Sequence, residues 1–430
     1  MTNTKKKVLL FYTHLYPFGT GEAFVENEIN YLSENFDEIL ILPLYDSPEM
    51  LKRQTPENVR IDISKNKKIN LKTFCFFLNQ ILILFFLELP HLFNIKRIKT
   101  FVYCLRVTYR YFKSTNQIIK NELLSEENKD IYCYAYWGNE IALCAILNHK
   151  IYKTKKCIAR FHRWDLYAYT NAANYLPFKK YIYQHLDKLV FIAQDGINYY
   201  KQNYLKNTQI NESKFSLNYL GTSPHSALRS DYTLNHFRIV SCSGINSNKR
   251  VDLIATALSL IDDISIEWIH FGGATTTLIW KKFENTCKNL LSKKRNIKYT
   301  LKGNVKNNEV IEFYINNEVF LFINSSISEG LPVSIMEAMS FSIPVLANNA
   351  GGTKEIVENS FNGTLFKNIT PELLSAELIR LSKLPIEEYS LYRINAYKTW
   401  NLKFNAEKNY QTFVENTLLI KPESALAVFY

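Results

Sequence analysis

At 430 residues the chain is too long for one core of ordinary size, and 47% hydrophobic against 21% charged residues excludes a disordered chain. Its seven cysteines are scattered, with no Cys-x-x-Cys and no Cys/His cluster, which argues against a zinc site or disulfide scaffold and for a reducing cytoplasm. The net charge of +12 comes without any nucleic-acid-binding motif, so nucleic acid is not an expected partner.

Lys5-Lys6-Lys7 leads into Val8–Tyr12, but His14, Pro17 and Gly19 follow too soon for an export signal, so this run reads as the first buried strand. Ile39–Leu44 reads as the second. From Ser64 to Lys120 there are eleven Lys/Arg and one acid, Glu88, a balance of +10, together with eleven Phe/Tyr. The remainder of the first 222 residues balances at 19 basic and 19 acidic groups, so nearly all the excess charge lies in this segment. Its apolar run Thr73–Leu87 is fifteen residues long, short of the roughly 20 that span a bilayer, and no transmembrane helix is expected. Ile98, Phe101, Leu105, Thr108 and Phe112 share one helical face, and Lys99, Arg106, Arg110 and Lys113 the opposite one. Such a segment either packs its apolar face inward or, with the adjoining apolar run, docks on an anionic membrane.

Ile131–Tyr136, Cys157–Phe161, Leu189–Ala193 and Phe215–Leu220 complete the strands of the first half. Gly221-Thr222-Ser223-Pro224-His225 and polar residues to His236 read as a linker. Arg238–Cys242, Ile266–Phe271, Ile297–Leu301, Val319–Ile323 and Ile343–Ala347 follow, alternating with helical stretches, the pattern of parallel sheets with crossover helices. The expected division is 1–222, 223–400, and a helical segment 401–430 packing back toward the first domain. Ligands should gather at the carboxyl ends of the strands.

After Val319–Ile323, the stretch Ser328-Glu329-Gly330-Leu331-Pro332-Val333-Ser334-Ile335-Met336-Glu337 sets two carboxylates eight residues apart around a Gly-x-Pro bend. The N–H that proline lacks would be unpaired at a helix start in any case, so Pro332 opens a helix with Glu329 before it and Glu337 inside it. Helical side chains lean toward the N-terminus, which lets Glu337 approach the same crevice. Amides from Gly330 to Val333 would then face an anion.

Around this stretch stand Ser241-Cys242-Ser243-Gly244, Lys249-Arg250-Val251-Asp252, Trp268 to Gly273, Leu301 to Val305, Ile323-Asn324-Ser325, and Asn349-Ala350-Gly351-Gly352-Thr353-Lys354-Glu355. The ordered series resembles the donor domain of family-4 retaining glycosyltransferases of the GT-B fold. Tyr16 to Phe24 and Arg160 to Tyr167 resemble acceptor-side loops of bacterial members that build capsule, exopolysaccharide or O-antigen.

The resemblance implies an α/β chain of two Rossmann-like, doubly wound parallel-sheet domains facing across a cleft. It implies transfer of a sugar from a UDP- or GDP-linked donor to a glycan, with no metal and no cofactor. The acceptor would be polyprenyl-diphosphate-linked, at the cytoplasmic face of a membrane met through residues 64–120. Lys249, with Arg250, would neutralise the diphosphate. Glu337 would hold the ribose, Glu329 the transferred sugar, Gly330, Leu331, Pro332 and Val333 the phosphate and sugar, and Gly303 and Val305 the base edge. His162 would contact the sugar or leaving phosphate, and Gly19, Gly21, Glu22, Arg160 and Asp165 would line the acceptor side. Two departures are visible: Ile245-Asn246 stands where many relatives carry an Arg after the glycine, and Gly272-Gly273-Ala274-Thr275 replaces a Gly-x-Gly-Pro turn. A GT-B nucleotide-sugar epimerase or an inactive scaffold subunit of a polysaccharide complex are the other readings; acceptor-independent isomerisation would mark the first, absence of turnover the second.

Overall fold

The computed structural model describes residues 5–19, 21–22, 24–45, 52–63, 69–125, 128–224 and 237–419. The expected linker 225–236, the start of the basic segment at 64–68, and Thr20 and Ala23 of the first loop lie outside the described residues. The chain divides into two units, Met1–Tyr219 with Glu407–Tyr430, and Leu220–Ala406.

The first unit is built on seven parallel strands: β1 (Lys6–Thr13), β2 (Glu38–Pro43), β3 (Val59–Ile61), β4 (Lys129–Ala135), β5 (Lys156–Phe161), β6 (Lys188–Phe191) and β7 (Phe215–Leu217). Their order is β3-β2-β1-β4-β5-β6-β7, with Val8 paired to Glu38 on one side and Ile131 on the other. The strands read as unbroken apolar runs because helices cover both faces. Val8 to Tyr12 are buried throughout, and the helix Glu140–Tyr152 behind β4 is buried from Ile141 to Asn148. That helix starts where the Asn139 side chain accepts from the Ile141 amide, and it ends at Lys153 in the left-handed region. The order reverses at β1 and β4, so the loops leaving these strands diverge around an open crevice, where α/β sheets gather ligands. The C-terminal residues belong to this unit: Lys156 Nζ donates to the Thr417 carbonyl at 2.5 Å, and the Phe413 ring lies 4.5 Å from the Arg160 guanidinium.

In the basic segment, the helix Ile95–Ser125 follows its sequence pattern in part: Phe101, Thr108 and Phe112 are buried and Lys99, Arg106 and Arg110 exposed, but Ile98 of the expected apolar face is exposed, and Leu105 and Lys113 are half-buried. The preceding helix, Leu71–Glu88, is longer than the uncharged run alone because it takes in Lys72 and Glu88. With its continuation to His91 it reaches 21 residues, the most apolar 18 of them at mean hydropathy 1.8, long and apolar enough to cross a membrane by length and composition.

The second unit has six parallel strands: β8 (Arg238–Cys242), β9 (Ile266–Phe271), β10 (Ile297–Leu301), β11 (Leu321–Asn324), β12 (Val345–Asn348) and β13 (Gly363–Phe366), in the order β10-β9-β8-β11-β12-β13. Here the order reverses at β8 and β11. The long helix Ile386–Lys403 returns to the start of the unit: Trp400 Nε1 donates to Thr222 Oγ1 at 2.8 Å, and the Thr222 amide to the Phe404 carbonyl at 3.0 Å. Thr222 is thereby tied into the second unit, and the division falls at 219/220 and 406/407.

Candidate functional site

The two loops that diverge from β8 and β11 are laced together across eighty residues of sequence. Asn246 Oδ1 accepts from the amides of Asn248 and Lys249, folding the first loop back on itself, and Arg250 then takes a left-handed conformation ahead of the helix Val251–Ser259. From the other side, Ser325 Oγ donates to the Lys249 carbonyl at 2.8 Å, Arg250 Nε donates to the Ser325 carbonyl at 3.0 Å, and Asn248 Nδ2 donates to the Ser328 carbonyl at 3.0 Å. With both backbones fixed, Lys249 Nζ reaches Glu329 Oε1 at 2.5 Å. The glutamate side chain is nearly buried, at 8% exposure, whereas the lysine keeps 25%. Asn324 Nδ2, at 3.5 Å from the same carboxylate oxygen, stands at the end of β11. Of the expected diphosphate pair, then, Lys249 lies at the carboxylate, while Arg250 directs its Nε into loop closure.

Gly351 completes this corner. A Cβ there would lie 2.1 Å from the Glu329 carbonyl oxygen, and its φ of +55° is one that glycine adopts without strain. The Gly352 amide donates to the Gly330 carbonyl at 3.0 Å, so the segment after β12 presses directly on the Glu329–Gly330 backbone.

Pro332, in extended conformation, immediately precedes the helix Val333–Ser340, and Glu337 sits just over one turn inside it. Its carboxylate accepts from Asn307 Nδ2 at 2.8 Å. Burial pushes the Glu337 carboxyl up to about 7, against the smaller downward pull of the Asn307 hydrogen bond. Asn307 opens the helix Asn307–Asn316, two residues beyond the expected base-side stretch Gly303–Val305.

That stretch borders a pocket of about 230 Å³ at the carboxyl ends of β9 and β10, lined by Gly273, Ala274, Thr276, Thr277, Trp280, Gly303 and Asn304. The Gly272 amide donates to the Gly303 carbonyl at 2.8 Å and Asn304 Oδ1 accepts from the Gly273 amide at 2.9 Å, which fixes the two loops side by side. Gly303 lines this pocket, and Val305 is not among its walls. No motif signals Trp280; a tryptophan in the first turn of the helix after a strand end is the one clue.

In the first unit, three of the residues expected on the acceptor side are engaged inside the fold. The Glu22 carboxylate accepts from the amides of His14, Leu15 and Tyr16 and from Trp137 Nε1, holding the loop after β1. Arg160 is fully buried; it pairs with Glu28 at 3.0 Å and donates to Tyr134 Oη at 2.7 Å and Asn218 Oδ1 at 3.0 Å. Asp165 accepts from the amides of Gly138 and His162 at 2.6 and 2.7 Å, and the buried Lys179 ammonium donates to the Gly138 and Asp165 carbonyls. The physical reason is shared: each charged group is shielded from water, and buried charge demands partners. These partners use up hydrogen-bonding capacity that an acceptor would need.

His162 differs. Its ring lies among Trp137, Tyr136 and Phe24, with centroids at 4.5, 4.8 and 5.8 Å, and neither ring nitrogen has a hydrogen-bond partner among the described residues. Burial, and then the nearby Arg160 charge, hold its pKa well below the ordinary histidine value, so the ring is neutral. Gly19, at φ +65°, and the exposed Gly21 offer backbone only.

Residues 232–399 match the family described as glycosyl transferases group 1. Among curated proteins, the chain is 34% identical over 106 residues to glycosyltransferase 1 domain-containing protein 1 of Xenopus tropicalis, covering 23% of this chain and 28% of that one. It is 28% identical over 183 residues to the O-antigen biosynthesis glycosyltransferase WbnH of Escherichia coli, covering 43% and 47%. The chain thus spans less than half the length of either relative. Among solved structures, Anabaena Alr3699/HepE in complex with UDP-glucose superposes over 95% of this chain and 98% of its own at TM-score 0.63, with 13% identity.

The burial of these groups has measurable consequences. Arg160→Ala, which strands Glu28, lowers the unfolding free energy by about 3–5 kcal/mol in a urea titration. Glu337 has a folded-state pKa raised above its unfolded value, so its stabilising contribution is whole below the ordinary glutamate range and is lost as the pH rises through about 7. Glu337→Gln should therefore raise the calorimetric midpoint of the ligand-free protein at pH 8 and lose that advantage at pH 5. Residues 232–399 thus match the glycosyl transferases group 1 family, and the chain has the GT-B fold.

Proposed function

We propose that the protein is a retaining, metal-independent glycosyltransferase of the family-4 type, moving a sugar from a nucleoside-diphosphate donor to a glycan hydroxyl in cell-surface polysaccharide synthesis. The observation that carries this reading is the Lys249–Glu329 pair, assembled from two distant loops at the reversal of the second sheet. A cation and a shielded carboxylate held together there can separate their roles when a donor enters. The ammonium turns to the diphosphate, and the carboxylate accepts from hydroxyls of the sugar. Glu337 receives the ribose hydroxyls in place of Asn307, and the pocket beside Trp280 and Gly303 takes the base.

In the chemical step the acceptor oxygen attacks the anomeric carbon on the face from which the diphosphate departs. The C–O bond to the acceptor forms, the C–O bond to phosphate breaks, and the acceptor proton passes to the leaving phosphate oxygen. Catalysis then consists of positioning and of stabilising charge on the leaving group, by Lys249 and the amides of Gly330, Leu331 and Val333. His162, with two unused ring nitrogens in a buried setting, is the acceptor-side group with hydrogen bonds to give.

The UDP-glucose held by the HepE structure supports a nucleotide-sugar donor, and the O-antigen role of WbnH supports a surface-polysaccharide acceptor. A polyprenyl-diphosphate-linked glycan at the cytoplasmic face of the membrane, met through residues 64–120, is part of the same proposal.

A thermal-shift series with UDP- and GDP-sugars tests it: one donor should raise the unfolding midpoint, since ligand at about 100 times its Kd stabilises by about 2.7 kcal/mol. With that donor, Glu337→Ala should mainly weaken binding, and more so at pH 8 than at pH 6, because the wild-type carboxylate that ribose prefers forms only as the pH passes about 7. Glu329→Ala should mainly slow donor hydrolysis at saturating donor. Unaltered kinetics in both variants would remove the site assignment.

A further inference from the structure

The helix Leu71–Glu88 is built inside out. The residues it buries, Phe77, Gln80, Leu84 and Glu88, recur at spacings of three and four along one stripe, and two of the four are polar. Both polar groups are satisfied there: Gln80 Oε1 accepts from Tyr181 Oη at 2.5 Å and Lys150 Nζ at 3.1 Å, and the Glu88 carboxylate accepts from Tyr175 Oη at 2.5 Å and the Phe178 amide at 2.7 Å. The outward face is the apolar one. Leu78, Leu82, Ile83, Phe85 and Phe86 are exposed, and Leu89, Phe93 and Ile95 extend the surface past the helix end; Phe86 is 67% and Phe93 71% exposed. A helix facing water has the opposite arrangement, and an apolar surface of this extent marks a binding face.

Charge says what covers it. Lys72 in the helix and Lys96, Lys99 and Arg106 in the next one are exposed, and from residue 69 to 120 the sole acid is Glu88, which is turned inward. Apolar residues bordered by cations, with no exposed anion along that stretch, fit acyl chains beneath anionic headgroups. The same hydrogen bonds decide against crossing the membrane. Gln80 and Glu88 bind the helix along the first unit through Lys150, Tyr175, Phe178 and Tyr181, and Phe77 stacks on Phe112 at 5.4 Å; a spanning helix would abandon all of these.

We propose that Leu71–Glu88 lies in the plane of a lipid leaflet, its outward face from Leu78 to Phe86 inserted among the acyl chains while its inward polar stripe stays bonded to the domain. The inference rests on the proposal that residues 64–120 meet a membrane, and makes apolar insertion rather than charge what holds the protein there. It does not depend on the donor chemistry.

Flotation of the full chain with vesicles of phosphatidylcholine alone, and of phosphatidylcholine with phosphatidylglycerol, tests it at low and high salt. Binding to both vesicles that survives high salt is expected. Leu82→Glu with Phe86→Glu should lower partitioning about a hundredfold while leaving the unfolding midpoint unchanged, since both side chains are exposed. Lys96→Glu with Lys99→Glu should reduce only the preference for anionic vesicles at low salt. A Phe86→Trp reporter should be quenched by lipids brominated along the acyl chain. Binding confined to anionic vesicles and abolished by salt would overturn insertion and leave surface docking standing; no binding to either vesicle would overturn both. A dimer in sedimentation equilibrium that the two glutamates dissociate, without vesicle binding, would make a second copy the occupant and overturn the proposal.

Discussion

Lys249 and Glu329 can meet because β8 and β11 are neighbours at the point where strand order reverses, and the proposed donor site hangs on that adjacency. Elsewhere in a parallel sheet, successive loops run the same way and cover one another; at the reversal they part. The chain holds the parted loops together with backbone-directed bonds from Ser325, Asn248 and Arg250, none of which uses the ammonium or the carboxylate. An ion pair this shielded adds little to folding stability, because desolvating its members offsets their attraction. In the function proposed above, its value lies in keeping two opposite charges in place, available to a ligand that carries both phosphate and hydroxyl groups.

Glu337 shows the same logic from the other direction. Its carboxyl is held near 7 by burial, an unfavourable state for a glutamate that a single asparagine only partly relieves. Carboxyls perturbed in this way by burial cluster at functional sites. In the first unit the pattern divides cleanly between Glu22, Arg160 and Asp165, whose partners are internal, and His162, whose ring nitrogens have none among the described residues. Charged residues near a strand end are therefore poor markers of a site until their partners are known.

Much of this was legible in the sequence because parallel strands buried on both faces are written as continuous apolar runs. Val59–Ile61 and Gly363–Phe366 were not, since three- and four-residue edge strands give no run to read. The Lys249, Glu329 and Glu337 pattern, and Gly351 within its motif, were visible through the ordered resemblance, while Asn307 and Trp280 emerge only when loops from different strands come together. Amphipathic spacing gave the buried face of Ile95–Ser125 from Phe101 onward, whereas Ile98, near the helix start, is exposed. The same reasoning has no purchase on Leu71–Glu88: a helix whose uncharged run is apolar nearly all round gives little periodic signal, and its orientation is set by where Gln80 and Glu88 find partners.

The central claim is that Lys249 is the diphosphate's counter-charge in a nucleotide site. Titration calorimetry of uridine and guanosine mono- and diphosphates against the wild-type protein and Lys249→Met addresses it directly. For one base, the diphosphate should bind the wild type about 10- to 100-fold more tightly than the monophosphate, the worth of one charge-assisted contact, and that advantage should largely vanish in Lys249→Met. Equal affinities for mono- and diphosphate, or an advantage untouched by the substitution, would contradict the account.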